Sequence, residues 1–368
     1  MKAIISGGGT GGHIFPAIAI ANALKAADPT TEILFVGADG RMEMEKVPQA
    51  GYKIQGLWIS GLQRKLTIDN LSFPFKVVHS LVESVSILRK FRPDVVIGVG
   101  GYASGAVLQM AQILHIPTVI QEQNCYAGIT NKLLAREAVA ICTAYEECER
   151  FFDKDKIHLT GNPVRQDIVM NTVRQTEAYS FFNLDPFKKT VLVLGGSLGA
   201  RTLNEAMIAA AATWAAHTDD VQIIWQTGKN YYDDIAKTEL ITAPNIRIYS
   251  FLSRMDLAYA AADIIVSRAG ASSVSELCVV GKPVVLVPSP NVAEDHQTKN
   301  AMSLVNKNAA VLVRDAAAKT DLVNAILALI QDKNKQTELS ENIQLLAKPN
   351  AAQDIVAVIY GVIRSGKP

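Results

Sequence analysis

The sequence predicts an α/β protein made of two doubly wound parallel sheets, and three observations carry that expectation. Short, continuous apolar runs end in glycine and lead into amphipathic stretches: Ala3–Ser6 into Gly7–Gly12, Asp94–Val99 into Gly100–Gly105, and Thr190–Leu194 into Gly195–Gly199. Runs without polar alternation belong to strands covered on both faces, as in parallel sheets under helices. The arrangement also occurs twice. AIISGGGTGGH from Ala3 matches VLVLGGSLGAR from Val191, and DVVIGVGGYASGAV from Asp94 matches DIIVSRAGASSVSE from Asp263. Finally, 368 residues exceed one ordinary domain and suit two.

In the first half the expected order is strand Ala3–Ser6, helix Ile14–Ala26, strand Ile33–Val36, strand Asp94–Val99, helix Ala103–Leu114 and strand Pro117–Gln121. In the second it is strand Thr190–Leu194, an alanine-rich helix Asn204–Ala216, strand Val221–Gln226, strand Asp263–Val266, helix Ser273–Val280 and strand Pro283–Val287. Strand–helix–strand units of this kind cross over right-handed and build Rossmann-like layers. Gly161-Asn162-Pro163 follows a strand-like Ile157–Thr160 and marks a boundary. The expected domains are 1–162 and 163–345, facing one another. Residues 346–368 hold an apolar helix, Ile355–Ile363, expected to cross back and brace the first domain.

Composition narrows the class. The chain is 49% hydrophobic and 19% charged, which suits filled cores and not disorder. A net charge of +1 offers no global attraction for nucleic acid. Cys125, Cys142, Cys148 and Cys278 form no CxxC pair or zinc spacing and read as reduced thiols. MKAIISGGG is too short an apolar run for a signal peptide, and no stretch is long enough to span a membrane.

Ligands of parallel α/β sheets bind beyond the carboxyl ends of the strands, where the glycine turns lie. Glycine lets the backbone approach an anion, and the next helix offers unpaired N–H groups at its positive end. Ala269–Ser273 is a fourth, weaker turn. Gly7, Gly9 and Gly12 also fit the dinucleotide fingerprint, with Asp39 as a ribose acid. A nicotinamide-dependent oxidoreductase is therefore the alternative from a different class, but it leaves the second set of turns unexplained. No Walker lysine follows any turn.

His13 closes the first turn where a helix begins, a place that favours neutral imidazole and suits a general base, although a structural histidine fits too. Glu122, Asn124, Asn131 and Lys132 follow the strand before them as hydroxyl binders or loop caps. Ser272, Ser273, Ser275 and Glu276 read either as an ordinary helix start or as a nucleotide site in which Glu276 accepts from a ribose diol. Pro288–Asn300, with Asp295, His296 and Gln297, reads as a polar sugar-binding lip or a solvated connection.

Taken together, GGTGGH (Gly8–His13), GGYASG (Gly100–Gly105), EQN (Glu122–Asn124), GNPVR (Gly161–Arg165), GGSLGA (Gly195–Ala200), RAGASSVSE (Arg268–Glu276) and DHQTKNA (Asp295–Ala301) resemble the MurG family of undecaprenyldiphospho-muramoylpentapeptide β-N-acetylglucosaminyltransferases. The resemblance implies a glycosyltransferase-B fold, two Rossmann-like domains facing a cleft, with UDP-N-acetylglucosamine held by the C-terminal domain. It places Arg165 and the Leu252 backbone near uracil, Ser197 at the diphosphate, and Ala271, Ser272, Ser273, Val274, Ser275 and Glu276 along the nucleotide, with Glu276 on the ribose. Gln297, Thr10, Gly11, Gly12 and Asn124 would meet the donor sugar, and Gly101, Tyr102 and Asn131 the acceptor side. Leu198, Gln121 and Ala106 stand where the family often has Gln, His and Pro.

The implied reaction is an inverting displacement by the acceptor 4-hydroxyl of a lipid-linked muramoyl pentapeptide, with His13 as base, Glu122 as second candidate, and no obligatory metal or other cofactor. Other lipid-directed transferases of the same fold, diacylglycerol glycosyltransferases or lipid A disaccharide synthases, are the nearest rivals. The lipid acceptor implies a peripheral place at the cytoplasmic face of the inner membrane. Leu71, Phe73, Phe75, Val77, Val78 and Leu81 lie among Arg64, Lys65, Lys76, Arg89, Lys90 and Arg92, either an apolar patch with a basic rim for an anionic membrane surface or an ordinary core helix.

Overall fold

The computed structural model describes residues 1–59, 73–170 and 173–365. It contains two compact units, Met1–Val164 with Asn350–Pro368, and Arg165–Pro349.

The first unit runs β1 (Lys2–Ser6), α1 (Gly11–Ala27), β2 (Glu32–Ala38), α2 (Glu43–Gln49), β3 (Lys53–Leu57), α3 (Phe73–Phe91), β4 (Val95–Gly98), α4 (Tyr102–Ile113), β5 (Thr118–Glu122), α5 (Ile129–Leu134), β6 (Ala140–Thr143) and β7 (Ile157–Leu159). Its strands are parallel, in the order β3-β2-β1-β4-β5-β6-β7. The order reverses between β1 and β4, and ligand crevices open at such a reversal. Ser6 pairs with Gly98, so the first and second glycine turns leave the sheet side by side. Both faces are covered, as the unbroken apolar runs require. Ala3 and Ile5 pack with Ile14, Ile20 and Leu24 of α1, while Ile4 packs with Val107 and Leu108 of α4.

The second unit runs α6 (Gln166–Val169), α7 (Gln175–Phe182), β8 (Lys189–Leu194), α8 (Arg201–Ala209), α9 (Ala211–Ala216), β9 (Val221–Gln226), α10 (Tyr232–Ile235), β10 (Ile246–Tyr249), α11 (Met255–Ala261), β11 (Ile264–Ser267), α12 (Ala271–Val280), β12 (Val284–Leu286), α13 (His296–Val305), β13 (Val311–Leu312), α14 (Ala318–Gln331) and α15 (Lys333–Gln344). Its parallel order is β10-β9-β8-β11-β12-β13. The reversal lies between β8 and β11, where Leu194 pairs with Ser267 and the third and fourth turns emerge. The final helix, α16 (Ala351–Ser365), belongs to the first unit. It buries Ile355, Val356, Ile359 and Val362 in the core shared with Ile14, Ala17 and Leu24 of α1.

Two elements differ from the sequence expectation. The single helix over Asn204–Ala216 starts at Arg201 and breaks at Ala210, whose φ and ψ of −93° and 13° leave the helical range. The segment carries no local stop signal. Beyond the break, Trp214 is fully buried and its carbonyl accepts from Asn245 Nδ2, so tertiary packing accompanies the break. In the expected polar loop Pro288–Asn300, α13 already begins at His296, which puts Gln297 in a first helical turn. The chain enters it through Glu294 and Asp295 at φ of 53° and 52°. Burial of Ala301 and Leu304 anchors the helix. Among the described residues, no helix is long and apolar enough to cross a membrane.

Candidate active site

In the first unit the two glycine turns interlock at His13. The Gly8 amide donates to the Gly100 carbonyl at 3.2 Å. Gly101, at φ 95°, sits so close that a Cβ there would lie 2.6 Å from the Gly8 carbonyl oxygen. The His13 ring lies over Gly100, where a Cβ would come within 2.9 Å of Nε2. Its Nδ1 is 2.9 Å from the Gly8 carbonyl, with Thr10 Oγ1 farther away at 3.4 Å. A carbonyl only accepts, so Nδ1 carries a hydrogen, and Nε2 is the nitrogen left to exchange a proton. Thr10 is the N-cap of α1 without a side-chain cap bond, and Thr10 and Gly12 are exposed with Gly11 half-buried. The positive end of α1 therefore opens outward beside the histidine. Asp39 is exposed and lies against Gly56 of β3, not at the reversal.

Glu122 ends β5 and is 2% exposed. Its Oε1 accepts from the Asn124 amide at 3.0 Å, and its Oε2 from the Gly128 amide at 3.0 Å and Asn131 Nδ2 at 2.8 Å. Both oxygens are committed to holding the loop between β5 and α5. Glu122, expected as a second candidate base, holds this loop in the structure. Asn131, expected on the acceptor side, is buried beneath that loop with its amide turned to Glu122. Asn124 is half-buried and Tyr102 exposed at the start of α4. The family departures at Gln121 and Ala106 are both buried: Gln121 Nε2 donates to Asn162 Oδ1 at 2.8 Å, and Ala106 packs inside α4.

In the second unit, the third turn leaves Gly196, Ser197 and Leu198 exposed. It is pinned from behind, because the Gly195 amide donates to the Gln226 carbonyl at 3.1 Å and a Cβ on Gly228 would lie 2.0 Å from the Gly199 nitrogen. Leu198 is 63% exposed. Gly270 caps α12 with no side chain, so the first amides of that helix face outward. Ala271 and Val274 are buried, Ser275 Oγ donates back to the Ala271 carbonyl at 3.1 Å, and Ser272 and Ser273 are half-buried. Glu276 lies one turn further on. Tyr259 Oη donates to its Oε2 at 3.2 Å, and Arg165 Nε stands 3.3 Å from its Oε1. Burial raises the Glu276 carboxyl above its ordinary 4.5, with Arg165 opposing. The Leu252 amide is taken by Gln226 Oε1 at 3.0 Å, and Gln297 Oε1 accepts from the Ser289 amide at 2.9 Å.

Sequence reasoning missed the supports. Arg268 bonds the Val287 carbonyl and Asp315, and Asp315 also accepts from Thr202 Oγ1, so the fourth turn is tied to α8 and the segment before α14. Tyr259 and Glu43 were also missed. Tyr259 bonds Glu276 17 residues on, and Glu43 bonds Gly9 34 residues back; no spacing rule links either pair. The cysteines are free and buried, and among the described residues no group of three or more His, Cys, Asp or Glu could hold a metal ion.

On α3, Phe75, Val78 and Val82 are exposed at helical spacing, while Ser80, Ser84, Ile87 and Leu88 are buried. Arg89, Lys90 and Arg92 are exposed at its far end. Arg64, Lys65 and Leu71 of the expected patch lie outside the described residues.

Residues 3–143 match the glycosyltransferase family 28 N-terminal domain and residues 190–355 its C-terminal domain. The chain is 58% identical over 366 residues to a UDP-N-acetylglucosamine–N-acetylmuramyl-(pentapeptide) pyrophosphoryl-undecaprenol N-acetylglucosamine transferase of Flavobacterium psychrophilum, covering 100% of this chain and 99% of that one. It is 54% identical to the Bacteroides thetaiotaomicron protein of the same name, covering 96% of each. A crystal structure of Acinetobacter baumannii MurG superposes with a TM-score of 0.78 at 27% identity, covering 98% of this chain and 99% of that one.

Proposed function

We infer the function from the family: this chain belongs to the MurG transferases of glycosyltransferase family 28, and it moves N-acetylglucosamine from UDP-N-acetylglucosamine to the 4-hydroxyl of a lipid-linked N-acetylmuramoyl pentapeptide. The observation that carries the reading in the geometry is the uncapped N-terminus of α12 with Glu276 one turn in, a phosphate site joined to a diol site. Glu276 accepts from the ribose hydroxyls. The α12 amides and Ser197 meet the diphosphate, the Leu252 carbonyl and Arg165 meet uracil, and Gln297 meets the sugar.

The acceptor oxygen attacks the anomeric carbon from the face opposite UDP. The bond from that carbon to the diphosphate oxygen breaks with its electron pair on UDP, which inverts the α donor to a β-1,4 product. His13 Nε2 takes the hydroxyl proton. The charge growing on UDP is met by backbone amides and a helix end already in place. Turnover independent of a metal ion is part of this reading; loss of turnover in chelator, restored by a divalent ion, would overturn it.

The lipid acceptor calls for a membrane surface, and the apolar stripe Phe75, Val78 and Val82 with Arg89, Lys90 and Arg92 is the docking face at the cytoplasmic side of the inner membrane.

The test combines the protein with UDP-N-acetylglucosamine and a short-chain analogue of the muramoyl lipid, following UDP release and disaccharide. Disaccharide is expected, falling roughly 10²–10⁴-fold in His13→Ala while UDP binding persists. UDP-sugar binding without disaccharide would sink the acceptor assignment.

A further inference from the structure

Glu43 opens α2 and is 1% exposed. Its Oε2 accepts from the Gly9 amide at 2.9 Å and its Oε1 from the Ala38 amide at 3.1 Å. Two glycines make room for it. A Cβ on Gly8 would lie 2.1 Å from Oε1, and one on Gly37 would lie 2.6 Å from Cγ. Among the described residues, no lysine or arginine forms an ion pair with it. A carboxylate withdrawn from water without a cation is costly unless fully hydrogen-bonded, and here backbone amides are its partners. The Gly9 amide belongs to a glycine turn at a strand's carboxyl end, a place where such amides bind phosphate.

We propose that Glu43 is a positioning residue for glycosyl transfer: its carboxylate is the built-in anion of the first glycine turn and clamps Gly8 and Gly9 so that the Gly8 carbonyl holds His13 with Nε2 free to accept a proton. The chain of contacts is short. Glu43 bonds Gly9, Gly8 packs on Glu43, and the Gly8 carbonyl bonds His13 Nδ1 at 2.9 Å. The same charge takes the Gly9 amide, so that amide is not offered to a nucleotide diphosphate. A sequence that fits the dinucleotide fingerprint thereby serves the proton-accepting residue instead. The inference rests on the reading of His13 as the base.

Glu43→Gln keeps the shape but presents an NH2 where one of the two amides needs an acceptor. Its kcat is expected to fall at least about tenfold, while KM for UDP-N-acetylglucosamine and UDP affinity stay within about twofold. Because Glu43 acts through His13, the double variant with His13→Ala should be no slower than His13→Ala alone. Nitrogen NMR of labelled histidine should show His13 with hydrogen on Nδ1 in the parent and a mixture of tautomers in Glu43→Gln. Should that variant not fold, Glu43→Asp, which keeps the charge but withdraws it by one methylene, must show the same kcat loss and tautomer mixture. Unchanged kcat, additive losses, or a fall in UDP affinity would overturn the proposal. If His13→Ala itself retains activity, the base reading fails, and the tautomer of His13 in the Glu43 variants still decides whether Glu43 positions it.

Discussion

At the Glu276 carboxylate, Tyr259 Oη donates to Oε2 and Arg165 Nε stands beside Oε1. Burial pushes the Tyr259 phenol well above its ordinary 10.0, so it remains a donor throughout the working range. Burial also raises Glu276 above 4.5, and two opposite pH effects result. With Glu276 on the ribose, as proposed, binding uses the ionised carboxylate, so UDP affinity should fall as pH drops through the raised folded value, starting at higher pH than for an ordinary glutamate. Stability of the unliganded protein runs the other way. Between 4.5 and the folded value the native state holds a proton that the unfolded chain has lost, so this group's contribution is full below 4.5 and is lost as pH rises. Calorimetric titration of UDP against pH, with Glu276→Gln subtracting the titration of UDP itself, checks the first effect; identical pH profiles would refute it. Tyr259→Phe should weaken UDP binding about tenfold by removing one hydrogen bond to a charge while leaving the ring in place.

At the scale of elements, the turns work because two packed glycines let backbone touch backbone. Gly228 has φ 84° and lies against Gly199, so Gly228→Ala strains the chain by about 1–3 kcal/mol and displaces the third turn. UDP affinity should fall and the melting temperature should drop by several degrees; an unaltered affinity would mean the turn does not meet the nucleotide. The glycines themselves were legible as punctuation after apolar strands. Their packing was not, since it depends on which strand lies beside which. The same limit applied to Glu122. Its place at a strand's carboxyl end suggested chemistry, but its oxygens accept from the Asn124 and Gly128 amides of the following loop and from Asn131 Nδ2 of α5, a path no periodicity describes. On α3 the exposed stripe can be tested directly. Phe75→Ser with Val82→Ser removes two exposed apolar groups worth about 1–2 kcal/mol each on transfer from water, so partition onto anionic vesicles should fall at least tenfold with UDP affinity intact.

For the whole molecule, α16 is the element whose partner lies farthest away in sequence. Its four buried aliphatic side chains share a core with α1, and their burial is worth about 6–12 kcal/mol, similar to the whole stability of a domain. Deleting residues 350–368 should therefore expose the amides of β1 and α1 to rapid hydrogen exchange while β8 and β11 stay protected; protected β1 amides would show that the helix is dispensable. Unbroken apolar runs and the glycines after them were enough, by themselves, to determine two parallel sheets and which strand ends carry turns, because the covering of both faces and the need for backbone at an anion are local demands written in residue type. The tertiary structure alone decided that Glu43 fills the first turn, that both Glu122 oxygens hold the loop after β5, that Tyr259 and Arg165 stand beside Glu276, and that the helix breaks at Ala210. Most of these depend on a hydrogen bond or packed surface joining residues far apart in the chain, which strand order and register bring together; the Glu122 contacts are local and depend on the path of the loop after β5.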